Sequence, residues 1–273
     1  MSDIRITQLM LIDIMKVFHD FCERKSLRYY AIDGTALGAA RHHGFIPWDD
    51  DLDVGMPRPD YERFISIFNK ENTNKRYILE TPDSADTLFA YSYSKLYDTQ
   101  TTLIEYTRHP LKRGLYIDVF PLDGAGSSEE DALPLFKTIK RLSFLRNMRV
   151  IKISKERKLS KNLTLAFFQA IPDAFLHEKR IAQKINTISQ TIQYDSSVFV
   201  TNYASAWGER ELVQKKIFGN PVLSQFENIV IYCPEDVDAY LMHVYGDWRT
   251  PPPKEKQITH HNRYLDLSSS YLE

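Results

Sequence analysis

Hydrophobic residues near the start of the chain recur every three to four positions, a spacing typical of an amphipathic helix. A β-prone run from Leu27 to Ile32 follows, and a helix of small residues is predicted after Gly34, with Thr35 as its candidate N-cap. A further amphipathic helix is predicted to start near Pro59. The apolar face of the first helix comprises Leu11, Ile14, Met15, Phe18 and Cys22.

The middle of the chain alternates in a way that predicts strands, whereas the second half has mainly helical periodicity. Extended segments are predicted at 77–80, 88–97, 101–106, 115–120, 198–201 and 227–232, and helices at 129–154, 163–170, 174–191 and up to about 245. This order predicts an α/β or α+β core with a helical addition. We divide the chain into a catalytic core (1–125), a helical acceptor-side region (126–195) and a segment that completes the core (196–273).

Composition narrows the class of protein. Lysine and arginine number 35 against 36 acidic residues, a net charge of −1, so no bulk positive field predicts a nucleic-acid partner. Two cysteines, Cys22 and Cys233, are too few for a disulfide scaffold or a four-thiolate zinc site. The N-terminus lacks the features of a signal peptide, and no run approaches the ~20 apolar residues of a membrane span. We therefore expect a cytoplasmic protein, although its substrate can sit on a membrane.

Four aspartates fall within five positions at 49–53. If the segment is extended, Asp49, Asp51 and Asp53 share one face, whereas Leu52 and Val54 point the other way. A carboxylate face backed by apolar residues suits Mg²⁺ or Mn²⁺ better than it suits a solvated turn. An EF-hand loop is excluded, because the glycine and the final glutamate that it requires are absent.

Two other parts of the sequence point to the same chemistry. Gly34 and Thr35 precede a helix, whose start can bind a phosphate through free N–H groups. Asp118 lies among apolar and aromatic residues, so it requires a partner, either a metal ion or a structural salt bridge. Phosphate binding combined with metal binding is what a transferase acting on a phosphoanhydride needs. Asp33 is interpreted as a turn residue.

Four segments together resemble the LicD family of phosphorylcholine transferases of bacterial surface polysaccharides, which is related to the fukutin group of polyol-phosphate transferases. The segments are 33–56 (DGTALGAARHHGFIPWDDDLDVGM), 95–98 (KLYD), 114–123 (GLYIDVFPLD) and 245–248 (YGDW). The first is highly specific and the last moderately so. The likeness extends from about Asp33 to Pro253, with a divergent helical middle.

The resemblance implies an α+β fold with a nucleotidyltransferase-like mixed sheet flanked by helices. It implies transfer of phosphocholine, or a similar phospho-substituent, from a CDP-activated donor such as CDP-choline to a sugar hydroxyl, with release of CMP. The implied cofactor is Mg²⁺ or Mn²⁺, with two ions bound. The expected metal ligands are Asp49, Asp51, Asp53 and Asp118. The expected catalytic residues are Asp51, Asp53 and Asp118, with Asp118 as metal ligand or general base. The donor phosphates are expected to bind at Gly34, Thr35, Arg41 and Lys95.

The expected acceptor is a surface glycan or its lipid-linked precursor, as in lipopolysaccharide or teichoic acid synthesis. This would bring the protein to the inner face of the cell membrane. The basic helix at 137–149 is one candidate for the surface that contacts the membrane. Trp48, Tyr91, Tyr93 and Tyr97 are candidates for an aromatic cage around choline. The cargo (choline, ethanolamine, glycerol or ribitol phosphate), the acceptor sugar and the oligomeric state stay open.

Three alternative functions are weighed. A nucleotidyltransferase on the same fold would release pyrophosphate. A glycosyltransferase with an Asp-x-Asp metal site would not require Gly34-Thr35 at a helix start, which disfavours it. A non-catalytic module that binds CDP conjugates would have no reason to retain four mutually repelling carboxylates.

Overall fold

The computed structural model describes residues 3–259 and 263–272. Met1 and Ser2, at the N-terminus for which no signal peptide is predicted, lie outside the described residues. The helices are α1 (Asp3–Lys25), α2 (Asp33–His42), α3 (Arg58–Glu71), α4 (Glu129–Val150), α5 (Leu159–Ala170), α6 (Glu178–Ser189), α7 (Lys215–Phe218) and α8 (Val237–Tyr245). The strands are β1 (Tyr30–Ala31), β2 (Asp53–Pro57), β3 (Tyr77–Glu80), β4 (Ser94–Glu105), β5 (Leu111–Gly124), β6 (Phe199–Thr201), β7 (Val213–Gln214), β8 (Val222–Phe226), β9 (Ile229–Cys233) and β10 (Arg263–Asp266).

A mixed sheet organises the molecule, with the strand order β1-β2-β5-β4-β10. The central pair β2 and β5 is parallel, whereas β1 pairs with β2 and β4 pairs with β5 in the antiparallel sense. β3 adds to the first half of β4, and β6 with β7 extends the end of β5. β8 and β9 form a separate hairpin. The predicted α+β class with a mixed sheet flanked by helices is confirmed at this level, and its nucleotidyltransferase-like detail stays a prediction.

The first and third helices cover the sheet. The predicted apolar face of α1 is fully buried, and Phe18 of α1 meets Phe64 of α3 edge to face with ring centroids 5.2 Å apart. Both helices contact β5. Pro59 lies in the first turn of α3, where its missing N–H leaves no helical bond unmade. These contacts hold both helices against the sheet, and the main core includes Leu52 and Val54 beside the acidic residues.

A second cluster of buried apolar residues belongs to the helical region. It forms between α4 and α6, and includes Phe136, Ile139, Ile181 and Ile185. α4 starts with a capping box in which Ser128 and Asp131 satisfy one another's backbone N–H groups. α5 packs on α4. In the part of the chain that the structure describes, no helix is long and apolar enough to cross a bilayer.

Several local predictions are wrong. Helix α2 begins at Asp33, three residues earlier than a Thr35 N-cap predicts, so Ile32 rather than Thr35 is its N-cap. Asp33 is accordingly buried in the first turn of a helix, not in a turn. Residues 88–93 form a loop, and the extended segments predicted on either side of Asp98 belong to one strand, β4. The strands β7, β8 and β10 were not predicted, since short strands carry little periodicity of their own.

Candidate functional site

Three neighbouring strands place charged residues of the predicted site in one row. Asp53, the first residue of β2, lies opposite Asp118 in β5, and Asp118 lies opposite Lys95 in β4. Side chains at matched positions of adjacent strands project from the same face of a sheet. The Lys95 Nζ accordingly donates a 2.7 Å hydrogen bond to Asp118 Oδ1. The structure therefore brings together Asp53, Asp118 and Lys95, which are far apart in the chain.

The ionisation of Asp118 reflects opposing influences. Its pKa is raised to about 6, because burial and the charges of Glu105 and Asp51 raise it by more than the Lys95 ammonium lowers it. The pKa of Asp53 is raised well above its ordinary value, first by burial and then by the charges of Asp51 and Asp118. Carboxylates are therefore concentrated at this end of β2 beyond what Lys95 alone compensates.

Lys95 is enclosed by aromatic and acidic groups, which we call the tyrosine box, and only 2% of its side chain is exposed. Its Nζ lies 3.4 Å from the ring centroid of Tyr116, 4.5 Å from that of Tyr91 and 5.5 Å from that of Tyr93. The hydroxyls of Tyr91 and Tyr116 both donate to Glu105, at 2.5 and 2.8 Å. The box thus presents π faces and carboxylates, both of which attract cations.

Two of the four residues considered for an aromatic cage therefore lie at the site. Tyr91 and Tyr93 contact the Lys95 ammonium, and Tyr116 is a third member that the periodicity of its strand did not distinguish. Tyr97 is buried in a small cluster with Phe89. Trp48 packs against the main core.

The start of α2 lies against the acidic segment. A Cβ built on Gly34 would come 2.7 Å from Asp49 Oδ2, so the absence of a side chain at Gly34 makes room for this carboxylate. The first turn of a helix has unpaired N–H groups and a positive dipole end, which favour a nearby anion. Gln8 donates to the Asp49 carbonyl at 2.9 Å and ties the segment to α1.

Thr35 connects the same helix to β2. Its side chain is 4% exposed, and its hydroxyl accepts a 2.7 Å hydrogen bond from the backbone N–H of Asp53. In this structure Thr35 thus orients the acidic strand. Its predicted contact with a phosphate stays a prediction.

Two buried acidic side chains, those of Asp33 and Glu211, lie together at the start of α2. Asp33 and Glu211 interact through a side-chain hydrogen bond, and Tyr240 binds both, accepting from the Asp33 backbone N–H at 3.2 Å and donating to Glu211 at 3.4 Å. Burial is the main reason why both pKa values are raised, and the charge of Glu211 raises that of Asp33 further. Asp33 also has a φ of 47°, in the left-handed region that non-glycine residues rarely adopt.

Sequence reasoning did not select Glu211 or Tyr240. Glu211 lies on a single turn at Gly208–Glu211, and Tyr240 faces inward from α8. In the sequence, Glu211 stands in a short polar turn next to Arg210, where nothing indicates that it is buried. Only the packing of α8 on α2 shows that these two residues belong to the site.

A cavity of about 1110 Å³ opens beside the row of charged residues. Asp51, Asp118 and Lys95 line one wall together with the tyrosines of the box, and the segment 150–157 lines the other. A space of this size accommodates a nucleotide conjugate, since ligand pockets commonly measure roughly 300–1,000 Å³.

The predicted metal ligands fit a hard divalent cation by their chemistry. Asp49, Asp51, Asp53 and Asp118 supply carboxylate oxygens, which are the ligands that such a cation prefers. Burial is the largest cause of the raised pKa values of Asp53 and Asp118. Among the described residues, however, no three acidic, histidine or cysteine side chains already converge as a metal-binding group. Metal binding stays a prediction.

Arg41 does not line this cavity. It lies in the last turn of α2, where its guanidinium donates to the Trp248 carbonyl at 2.7 Å and to His42 Nε2 at 3.0 Å. Burial lowers its pKa from the ordinary arginine value. Gly34 and Arg41 are at opposite ends of α2, roughly 10 Å apart at 1.5 Å per residue. The structure thus joins Arg41 to the segment around Trp248.

Comparison with known proteins gives two findings. Residues 26–138 match a family model described as LicD/FKTN/FKRP, nucleotidyltransferase domain. The lipopolysaccharide cholinephosphotransferase LicD of Haemophilus influenzae is 28% identical over 263 residues, which cover 94% of this chain and 96% of that protein. Uncharacterized proteins of Rickettsia typhi and Rickettsia prowazekii are 42% and 44% identical over 59 and 52 residues, about a fifth of this chain. The part of this chain that matches the family model, residues 26–138, includes the acidic segment, β4 and β5.

Proposed function

We propose that this chain acts as a member of the LicD family, as the family-model match and the 28% identity to a cholinephosphotransferase support. It would transfer phosphocholine, or a similar phospho-substituent, from a CDP-activated donor to a sugar hydroxyl of a surface glycan or its lipid-linked precursor, and release CMP. The broader assignment, a transferase of phosphate-containing groups, follows from the family. The donor, the metal and the product CMP are parts of the proposal.

One observation supports this proposal above the others, the row of Asp53, Asp118 and Lys95 beside the cavity. The row combines carboxylates with a buried ammonium, and Asp51 joins it on the cavity wall. A site that moves a charged phosphoryl group has to neutralise negative charge and to accept a proton from the attacking hydroxyl. The residues for both tasks are adjacent here.

Each residue has a proposed role. Asp51, Asp53 and Asp118 would hold a divalent cation, which supplies charge neutralisation at the pyrophosphate. Alternatively, Asp118 would leave the cation to the other two carboxylates and accept the proton of the sugar hydroxyl from its place on the cavity wall. The hydroxyl oxygen forms a bond to the β-phosphorus as the bond between that phosphorus and the bridging oxygen breaks, so CMP leaves with the bridging oxygen. Lys95, which has two further N–H donors, can bind the donor phosphates from its place beside Asp118.

The cargo is proposed to be choline because of the tyrosine box. A trimethylammonium group gains cation–π attraction at aromatic faces, and Tyr91, Tyr93 and Tyr116 already surround an ammonium group on the cavity wall. Glycerol and ribitol carry no positive charge and would gain nothing comparable.

The direct test is a donor screen with the purified protein, Mg²⁺ and candidate glycan acceptors, in which released CMP and pyrophosphate are measured separately. We expect CMP from CDP-choline, and we expect Asp51→Asn to abolish it without altering the thermal melt. Asp195→Asn, an exposed aspartate away from the cavity, is the matched control. Release of pyrophosphate would instead identify a nucleotidyltransferase. Binding of CDP-choline in calorimetry without turnover on any acceptor would identify a binding module.

A further inference from the structure

Helix α5 presents an apolar stripe to solvent. At about 100° per residue, Leu159, Leu163 and Phe167 fall within one narrow face, together with Ala166 and Ala170. The three large side chains are 73%, 62% and 68% exposed, and Phe175 just beyond the helix is 84% exposed. In α5 only Leu165 is buried, so the helix turns most of its apolar surface outward. Contiguous exposed apolar residues of this kind mark an interaction site.

The stripe is held in place and is not a loose end. Arg149 of α4 is fully buried, and its guanidinium donates to the carbonyls of Phe168, Gln169 and Ile171 at 3.0, 3.2 and 2.7 Å. The Phe168 carbonyl also accepts from the Ile171 N–H and the Gln169 carbonyl from Arg108, and a further cation at a helix C-terminus is favourable. Arg149 belongs to the helix for which a basic surface was predicted, but it is buried and fixes α5.

The flank of the stripe is strongly basic. Between residues 152 and 161 there are five basic residues and one acidic residue, Glu156. The basic residues, all of them exposed, are Lys152, Lys155, Arg157, Lys158 and Lys161. Exposed large apolar side chains bordered by lysines are characteristic of helices that lie in the interface of an anionic bilayer.

We propose that the face formed by Leu159, Leu163, Phe167 and Phe175, with its basic flank, docks on the surface of an anionic lipid bilayer. The basic flank complements anionic headgroups, and a second copy of this chain is the alternative occupant that the oligomeric state tests. The segment 150–157 joins this face to the cavity wall. Docking therefore sets the cavity mouth close to the lipid surface, and if the proposed function holds, within reach of an acceptor carried on a lipid.

The test is flotation of the full-length protein with vesicles of phosphatidylglycerol and phosphatidylcholine, compared with vesicles of phosphatidylcholine alone. We expect binding to the anionic vesicles that weakens as salt is raised, and at least about tenfold weaker binding for Leu163→Ser/Phe167→Ser. Lys158→Glu/Lys161→Glu, which removes no packing, should weaken it as well. The controls are Leu223→Ser, at another exposed apolar position, and Lys254→Glu/Lys256→Glu.

Several results would overturn the docking proposal. These are no binding to either vesicle, equal binding to both, binding unchanged in both double variants, or an oligomer that becomes a monomer in Leu163→Ser/Phe167→Ser. The last result would assign the face to a second copy of the chain. Vesicle binding needs no turnover, so the assay succeeds or fails independently of CMP release.

Discussion

The backbone N–H of Asp53 donates a 2.7 Å hydrogen bond to the hydroxyl of Thr35, which joins the first turn of α2 to the first residue of β2. The bond is made by a buried side chain and fixes the start of the acidic strand. Thr35→Val keeps the shape of the side chain but leaves this N–H unpaired, at a cost of about 1–3 kcal/mol of stability. We expect kcat to fall by about tenfold to a hundredfold, because small displacements of reacting groups are costly.

The measurement is CMP release alongside a thermal melt, with Thr35→Ser as the partner variant. Serine retains the hydroxyl, so it should recover most of the activity. If Thr35→Val and Thr35→Ser have equal activity, the hydrogen bond does not position Asp53.

Gly34 tests the placement of Asp49. The Cβ of Gly34→Ala would lie 2.7 Å from Asp49 Oδ2, so the carboxylate has to move away from the start of α2. Alanine suits a helix better than glycine does, so we expect the free energy of unfolding to change by less than about 1 kcal/mol. Turnover should nonetheless decrease by at least about tenfold. Steady-state kinetics and urea unfolding measure the two effects, and unchanged kinetics would remove Asp49 from the site.

The buried pair of Asp33 and Glu211 predicts how stability depends on pH. Because both pKa values are raised in the folded protein, the stability that the pair contributes is present below the unfolded values near 4 and is lost as pH rises through the folded values. The free energy of unfolding should therefore decrease as pH rises from about 4 through the raised pKa values of the pair. Glu211→Gln carries no charge at this position, so it should make this decrease smaller by about 1 kcal/mol.

Urea unfolding at several pH values measures this difference. Glu209→Gln, an exposed residue of the same turn, is the control and should follow the parent protein. Parallel pH curves for Glu211→Gln and the parent would show that the pair does not titrate in this range.

Tyr93 tests the choice of cargo. Its ring faces the Lys95 ammonium at 5.5 Å on the cavity wall, and the cation–π attraction that it offers is worth about 0.5–2 kcal/mol. Tyr93→Leu should raise KM for CDP-choline about 2- to 30-fold, which is that energy expressed as a ratio. KM for CDP-glycerol should change little. Tyr264→Leu, at an exposed position in β10, is the control. An equal change with both donors would mean that Tyr93 does not recognise the ammonium.

Elements with a strong local pattern were predicted well. α1, α3, β3 and α8 lie close to where periodicity, proline and the glycine after α8 indicated. The alternation of partly exposed Asp51 and Asp53 with buried Leu52 and Val54 is also as predicted. The prediction for residues 88–93 was wrong because aromatic residues favour strands on average, whereas here they form a loop whose Tyr91 and Tyr93 line the cavity.

By itself, the sequence indicated the resemblance to the LicD family, the acidic segment and the residues most important to test, because each lies in a short stretch of consecutive positions. It could not show that Asp118 lies between Asp53 and Lys95, that Thr35 holds the strand or that Glu211 pairs with Asp33, because strand register and helix packing join residues that are distant in the chain. The outward face of α5 is a similar case. Its apolar spacing suggests a buried helix, and only the tertiary structure, in which Arg149 fixes the helix, showed that Leu163 and Phe167 are exposed to solvent.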